Sequence, residues 1–504
     1  MKFTDTIGWR FHFRDDKKVA KAIREGKTDL ITGTGWGFFD KFFSFLWVIG
    51  FFKVVERING EGYQRKMLGI VKLLNTYAIK VLLGIGSMNS VPSLLFKEIG
   101  LLKLIGFTAT EIKEGICKRG KGKSRPIHKN TLADFLDRLT KEEVQYVLNE
   151  VVKLLSRHRF IKGDIFILDA TDLETTPKCK GCGRKRIKEK RWDARKRKMV
   201  EIETYKYGFK LIMIQEVKSR VVVAATVVKI QEHESKYTLQ LLKQAKKNLG
   251  GGKIKLLLID NAFMDGVTLW KIKHKLKIDF ITRARTNMDV SKDARSFRNW
   301  QEGIKREVKR TKKGKIAVYG VESLLSYAQY GTEEHKKKKY KKDEWGNPLN
   351  AVVVTCWKGE EYGKGKEPVF ITSLPVDKPL QIIDKYGLRF LIENIGFREL
   401  KQGWKIGQVV MKTESAMRSH TLLTLILYSL NACFQTKRGQ SLADKGIRRI
   451  RREDYSTIHK VIVFAGDYFA ILDVEEYSLI ARSPPRFFMR IEPDEAKRRL
   501  GLKD

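Results

Sequence analysis

The sequence predicts an α/β protein: a central mixed sheet flanked by helices, with an all-helical region before it and a helical tail after it. Three observations carry this expectation. Two short apolar runs, Ile165-Phe166-Ile167-Leu168 and Leu256-Leu257-Leu258-Ile259, each lead into an aspartate, Asp169 and Asp260. Residues 207–214 and 221–228 form two more apolar runs joined through Lys218-Ser219-Arg220, the pattern of a hairpin. Amphipathic helical spacing follows over 234–248, stops at Gly250-Gly251-Gly252, and returns over 265–274 before the run Phe280-Ile281-Thr282-Arg283. Strand, strand, strand, helix, strand, helix, strand implies a mixed sheet with helices packed on it.

The region before the sheet reads as helices. Met67, Ile70, Val71, Leu74, Ala78, Val81 and Leu82 recur at helical spacing, and Gly84-Ile85-Gly86-Ser87 stops the run. Thr108-Ala109-Thr110-Glu111 and Thr140-Lys141-Glu142-Glu143 both have capping-box form, the second opening a helix to about Arg157. Between them a basic break, Gly120-Lys121-Gly122-Lys123-Ser124-Arg125-Pro126, precedes a helix from near Asn130 with Leu132, Phe135, Leu136 and Leu139. Short helices around a basic turn suit a helix-turn-helix that places Arg125, His128, Lys129 and Asn130 near a DNA groove, and equally a plain helical bundle. The apolar run 42–52 lies between Lys41 and Lys53 and is too short for a bilayer, which needs about 20 residues. It is expected to be a buried or interface helix.

After the first strands, residues 286–368 interrupt the pattern with the run Lys336-Lys337-Lys338-Lys339-Tyr340-Lys341-Lys342, a turn at Gly346-Asn347-Pro348 and a strand over 351–355. Strand pattern returns at Val369-Phe370-Ile371-Thr372, followed by a long helix from about Leu380, an apolar helix over 421–432 and a basic segment over 445–452. The expected organisation is a helical region over 1–160, a sheet core over 161–285 completed by 369–435, a basic β-rich insertion over 286–368 and a basic helical region over 436–504.

Lys and Arg outnumber Asp and Glu by 101 to 58, a formal charge of +43. An excess of this size points to a long polyanion, whose counterions are released on binding, ahead of an acidic membrane surface or a ribosomal partner. Five cysteines form no disulfide framework, so a reducing cytoplasm, in association with the nucleoid, is the expected location, and no secretory signal or membrane span is visible. Cys179-Lys180-Gly181-Cys182 is half a zinc site; no second pair lies nearby, so structural zinc is not expected and a flexible basic loop is.

Carboxylates at strand ends converge at one edge of a sheet, where open sheets place their sites. Glu393 joins Asp169 and Asp260 from the helix expected over 382–399. Three such groups repel one another unless a cation lies between them. Oxygen-only ligation suits Mg²⁺ or Mn²⁺, and two such ions about 4 Å apart would serve an in-line phosphodiester displacement. Asp172, Asp265 and Glu399 compete for these roles: Asp172 is expected in a turn beyond the strand, and Asp265 at a helix start. The segment His233-Glu234-Ser235 is likewise expected to start a helix.

The segments Ile167-Leu168-Asp169-Ala170-Thr171-Asp172, Leu258-Ile259-Asp260-Asn261-Ala262-Phe263-Met264-Asp265-Gly266 and Tyr386-Gly387-Leu388-Arg389-Phe390-Leu391-Ile392-Glu393-Asn394 resemble those of insertion-sequence DDE transposases. The resemblance, over about 164–434, is to the branch with a ribonuclease-H-like core and a β-strand insertion before the final Glu. It implies metal-dependent cleavage of double-stranded DNA at transposon ends, strand transfer by the freed 3′-OH, two Mg²⁺ or Mn²⁺ ions at Asp169, Asp260 and Glu393, and a homodimeric synaptic complex. That branch's signature runs Tyr, two residues, Arg, three residues, Glu, six residues, Lys. Tyr386, Arg389 and Glu393 fit it and share a helix face, so Arg389 is expected on a DNA phosphate and Tyr386 on the backbone. Lys401 departs, with seven residues intervening after Glu393; either a bulge at Gly396 absorbs the extra residue, or Arg398 or Lys405 takes the phosphate role. One of Trp300, Trp345, Trp357 and Trp404 could stack a flipped base. A ribonuclease-H-like nuclease or resolvase that cuts without joining, and a transposase-derived DNA-binding protein, are the rival readings.

Overall fold

A computed structural model describes residues 14–483 apart from 59, 61–67, 109–110, 113–114, 117–125, 194–197, 301–303, 312–313, 334–345, 358–359, 364, 408–411, 440–445, 456–458 and 467. The chain forms two compact units, one of residues 155–177 and 182–398 and the other of 1–154, 178–181 and 399–504.

The sheet unit is built on β1 (Ile165–Thr175), β2 (Gly183–Asp193), β3 (Lys198–Glu216), β4 (Val222–Lys229), β5 (Leu256–Ile259), β6 (Asp279–Arg283), β7 (Lys305–Thr311), β8 (Gly314–Leu324), β9 (Leu349–Trp357) and β10 (Val369–Thr372). They lie in the order β2-β3-β1-β5-β6-β10-β9-β8-β7, with β4 also on β3. β1 runs antiparallel to β3 on one side and parallel to β5 on the other, and β5 is parallel to β6. This is the mixed sheet expected from the sequence. The all-buried run of β5 is what a parallel strand covered on both faces requires. The helix Thr238–Leu249 covers β4, and Asn248 Nδ2 donates to the Val223 carbonyl at 3.1 Å.

The insertion does not stand apart from the core. β10 pairs with β6 on one edge and β9 on the other, so β7, β8 and β9 continue the same sheet. The lysine run 336–342 lies outside the described residues. The segment expected to be a flexible basic loop is a long hairpin, β2 paired with β3 from Gly183↔Gly208 to Asp193↔Lys198.

The second unit is largely helical. The apolar run 42–52 falls on two buried helices, Phe38–Val48 and Phe51–Val55, with Gly50 between them at φ 82°, a left-handed turn that suits glycine. Phe38, Phe42 and Phe45 each pack their rings 5.3–5.5 Å from Phe434 of the buried helix Glu414–Lys437. Both expected capping boxes form: Glu111 N–H donates to Thr108 Oγ1 and Glu143 N–H to Thr140 Oγ1, each at 3.1 Å. The structure adds strand to both chain ends, where the sequence suggested helix alone. Leu30–Thr34 pairs with Lys460–Ala465, which pairs with Tyr468–Asp473, and this three-stranded sheet draws the N- and C-terminal regions together. Alternating Val461, Val463 and Ala470, Leu472 turn its buried face onto Val19 and Ile23 of the helix Asp16–Arg24. No described helix is long and apolar enough to cross a membrane.

Candidate active site

The register of the parallel strands places the two aspartates. Leu168 pairs with Ile259, and the residue after each is Asp169 and Asp260, so both carboxylates leave adjacent strands at the same level. Strands so paired lie about 4.8 Å apart. Asp260 ends its strand, as expected. Asp169 does not: β1 continues to Thr175 through its pairing with β3, and only the partnership with β5 ends at Leu168. Asp172 is therefore a strand residue, opposite Lys210 and 3.5 Å from Lys185 Nζ, rather than part of a turn. Pairing beyond the apolar run was hard to see in the sequence because Asp172 and Glu174 are poor strand formers by propensity alone.

Glu393 reaches the same place from a helix whose geometry differs from the expected one. The α-helix Pro379–Gly387 ends in a turn at Leu388 and Arg389, and the chain then winds as a π-helix over Ile392–Phe397 and again over Glu399–Gly403. Such widened turns each take up an additional residue and are frequent at functional sites. Gly396 lies within the first of them, where a Cβ would come 3.0 Å from Gln215 Oε1 of β3.

Arg389 lies among the three acids. Its Nη1 is 3.0 Å from Asp169 Oδ2 and 2.8 Å from Glu393 Oε1, and its Nη2 is 3.9 Å from Asp260 Oδ1. The expectation had Arg389 on a phosphate; the structure ties it to the carboxylates. The i,i+4 spacing of Arg389 and Glu393 was the available signal. Asp169 is buried and also accepts from the Ala170 N–H at 2.7 Å. Burial pushes its pKa up to about 7, the Ala170 N–H and Arg389 oppose the rise, and Asp260 and Glu393 add to it. For Arg389, burial works against the charged form, but Tyr386 and the three carboxylates turn the net shift upward. Tyr386 is buried against Phe370, and burial pushes its hydroxyl up to about 12, so it stays protonated.

One guanidinium balances only one of three carboxylates, which leaves a site of hard oxygen donors with uncompensated negative charge. That donor set fits a divalent cation of the Mg²⁺ or Mn²⁺ class. As they stand, the described His, Cys, Asp and Glu residues form no group of three gathered around a single metal position. Buried Arg389 Nε also has no hydrogen-bond partner among the described residues.

The rival acids are committed elsewhere. Asp265 caps the helix Gly266–His274, accepting from Thr268 N–H at 3.0 Å. Glu399 accepts from the Ile447 N–H at 2.5 Å. His233 begins the 3₁₀ turn Glu234–Tyr237, and Glu234 pairs with buried Lys210 at 2.8 Å, a contact no sequence signal announced. Of the other residues singled out, Arg398 is exposed and Lys401 is half-buried in the second π-helical segment. Lys129 opens the helix Lys129–Arg138, and Arg125 lies outside the described residues. Trp300 is 82% exposed at the end of the helix Asp289–Trp300, whereas Trp404 is buried against Tyr428. Trp345 and the Trp357 side chain lie outside the described residues, as does Cys117. Cys179, which is buried, and Cys182 are not joined in a disulfide.

Residues 161–430 match the protein family described as "Transposase DDE domain". Among solved structures, the chain is similar to a piggyBac transposase synaptic complex with hairpin DNA seen by cryo-EM. The identity is 9%, over 92% of this chain and 85% of that one, with a TM-score of 0.39. Comparison with curated protein sequences finds no match.

Proposed function

The chain belongs to the DDE transposase family, and on that premise we propose that it cleaves duplex DNA at transposon ends and joins the freed 3′-OH to target DNA. Family membership implies a nucleic-acid-cleaving enzyme; the division of roles below is our reading. The observation that carries it is the convergence of Asp169, Asp260 and Glu393 on one guanidinium, with both aspartates level on adjacent parallel strands.

These three carboxylates would hold Mg²⁺ or Mn²⁺, which when bound lowers the pKa of an attacking oxygen and stabilises the leaving one. Asp169 is the anchor, since burial and the Ala170 N–H fix its orientation before DNA arrives. Glu393 is the adjustable member, with 44% of its side chain exposed. Arg389 partly neutralises the acids in the resting site and, with the carboxylates holding a divalent ion instead, would be free to turn its guanidinium toward a phosphate oxygen. Tyr386 backs that guanidinium, 5.8 Å from ring to charge. Lys401 is the candidate for the phosphate-holding lysine of the signature, with Arg398, exposed and three residues earlier, as the alternative. Lys129 and Arg125 belong to the DNA-binding helical region, and synapsis of two ends would engage two copies of the chain.

A strand-transfer assay tests this reading. With a pre-cut end, Mn²⁺ and a target plasmid, joined product is expected from the wild-type chain and none from Asp260→Asn. Cleavage without joining would select the nuclease reading instead, and unchanged cleavage by Asp260→Asn would overturn the site.

A further inference from the structure

The hairpin of β2 and β3 extends past the sheet. β1 pairs with β3 only from Glu216 to Tyr207, so Lys198 to Lys206 are paired with β2 alone. Nine residues at about 3.4 Å each make an arm of roughly 30 Å, close to one turn of B-DNA at about 34 Å. An isolated two-stranded ribbon is marginal in water. This one nevertheless leaves Trp192, Met199, Ile202 and Tyr205 between 42% and 61% exposed.

Its charge names the partner. From Arg184 to Lys206 the sequence carries eleven basic residues against four acidic. Alternation puts Arg184, Arg186, Lys188, Lys190 and Trp192 on one face of β2, and the register sets Tyr205 and Met199 on that same face of β3. Successive cations there are two residues, about 6.8 Å, apart, which is twice the axial phosphate spacing of one DNA strand at about 3.4 Å. Arg186 pairs with Glu203, and Lys188 lies 3.7 Å from Glu201; all four are exposed, and such pairs are worth so little that exchange for phosphate is cheap.

We propose that this arm is a groove-binding ribbon for duplex DNA, its cationic face on the phosphates and Trp192 and Met199 supplying apolar contact near its end. A two-stranded ribbon fits the width of the major groove. The proposal rests on the reading that the chain acts on DNA, but it assigns binding to a segment remote in sequence from Glu393 and the helical region.

The test uses the full chain and a labelled duplex of about three helical turns, about 30 bp, with affinity measured across a salt series. Replacing Arg184, Arg186, Lys188 and Lys190 together by Gln should weaken binding at least about tenfold. It should also reduce the slope of log affinity on log salt by about 2–4, at roughly 0.9 per lost phosphate contact. Trp192→Ala should weaken binding a few-fold with the slope unchanged. A second variant joins Arg186 directly to Tyr205, which face each other, through Asn-Gly, keeping the hairpin base and removing the arm; it should reproduce the loss. Wild-type binding with an unaltered slope in both charge and arm-deletion variants would overturn the arm alone. Altered oligomeric state without a change in slope would show that the arm meets a second copy instead, and would also overturn it. Failure of the wild-type chain to bind duplex would overturn both this proposal and the reading beneath it.

Discussion

Arg389 Nη1 stands 3.0 Å from Asp169 Oδ2, both side chains buried, and this ion pair organises the candidate site. It offsets the desolvation that raises Asp169, yet leaves two further acids to be balanced. The pair therefore has two consequences, one for stability and one for metal binding.

Arg389→Ala strips a cation from among three carboxylates. Breaking a buried pair costs about 3–5 kcal/mol, and partial exposure of Glu393 argues for the lower end. The expected outcome is a lower Tm, with a larger Mn²⁺-dependent rise in Tm than in the wild-type chain, because the metal then meets no competing guanidinium. Thermal melts with and without Mn²⁺ decide it; equal metal shifts in the two proteins would remove the competition argument.

If Lys401 is the phosphate-holding lysine of the signature, then Lys401→Ala should lower the cleavage rate by about tenfold or more, the scale of a lost charge-assisted phosphate contact worth about 1.5–3 kcal/mol. Arg398→Ala should cost less. Single-turnover cleavage of both variants is the measurement, and the reverse ranking would transfer the role to Arg398.

His420 reports on the helical unit. It is buried, hydrogen-bonded to Tyr77, and its pKa is lowered to about 3 by burial, with Lys80 adding to the fall. The folded state thus binds fewer protons than the unfolded one between about pH 3 and pH 6.5. Stability from the neutral imidazole is complete above about pH 6.5 and lost as pH falls toward 3. At about 1.4 kcal/mol per pH unit, the loss from pH 6.5 to pH 5 is about 2 kcal/mol. Urea midpoints at the two pH values should show it, and His420→Gln should flatten it.

Gly208 sits where β3 passes from its partners in the sheet to the arm. Its φ is 155°, and an added Cβ would lie 2.2 Å from the Leu173 carbonyl oxygen of β1. Gly208→Ala should destabilise the sheet unit by about 1–3 kcal/mol, the usual cost of overpacking. Because β1 also carries Asp169, cleavage should fall more than Tm alone explains. Parallel Tm and rate measurements check this; a rate that follows Tm would detach the hinge from the site.

Much of the site could be read from the chain. Asp169 and Asp260 follow short apolar runs of the kind buried strands use, and Tyr386, Arg389 and Glu393 keep the spacing of one helix face. The arm was less visible because, although Val200, Ile202 and Thr204 alternate with charged residues as in a strand, the strongly basic composition suggested a loop. The strands at the chain ends were hidden for a different reason. Leu30–Thr34 has its partner more than four hundred residues away, at Lys460–Ala465, and no local pattern encodes a pairing of that range.

By itself, then, the sequence determined the mixed α/β core and pointed to candidate acids with a cation among them, because hydrophobic periodicity and charge repulsion are local properties. Only the tertiary structure decided how those acids are balanced at rest. Register made Asp169 and Asp260 level, the helix carrying Glu393 widened into a π-turn, and packing turned Arg389 inward to the carboxylates. Each of these depends on which surfaces meet, and that is set when the strands pair and the helix packs, not by the order of residues within either.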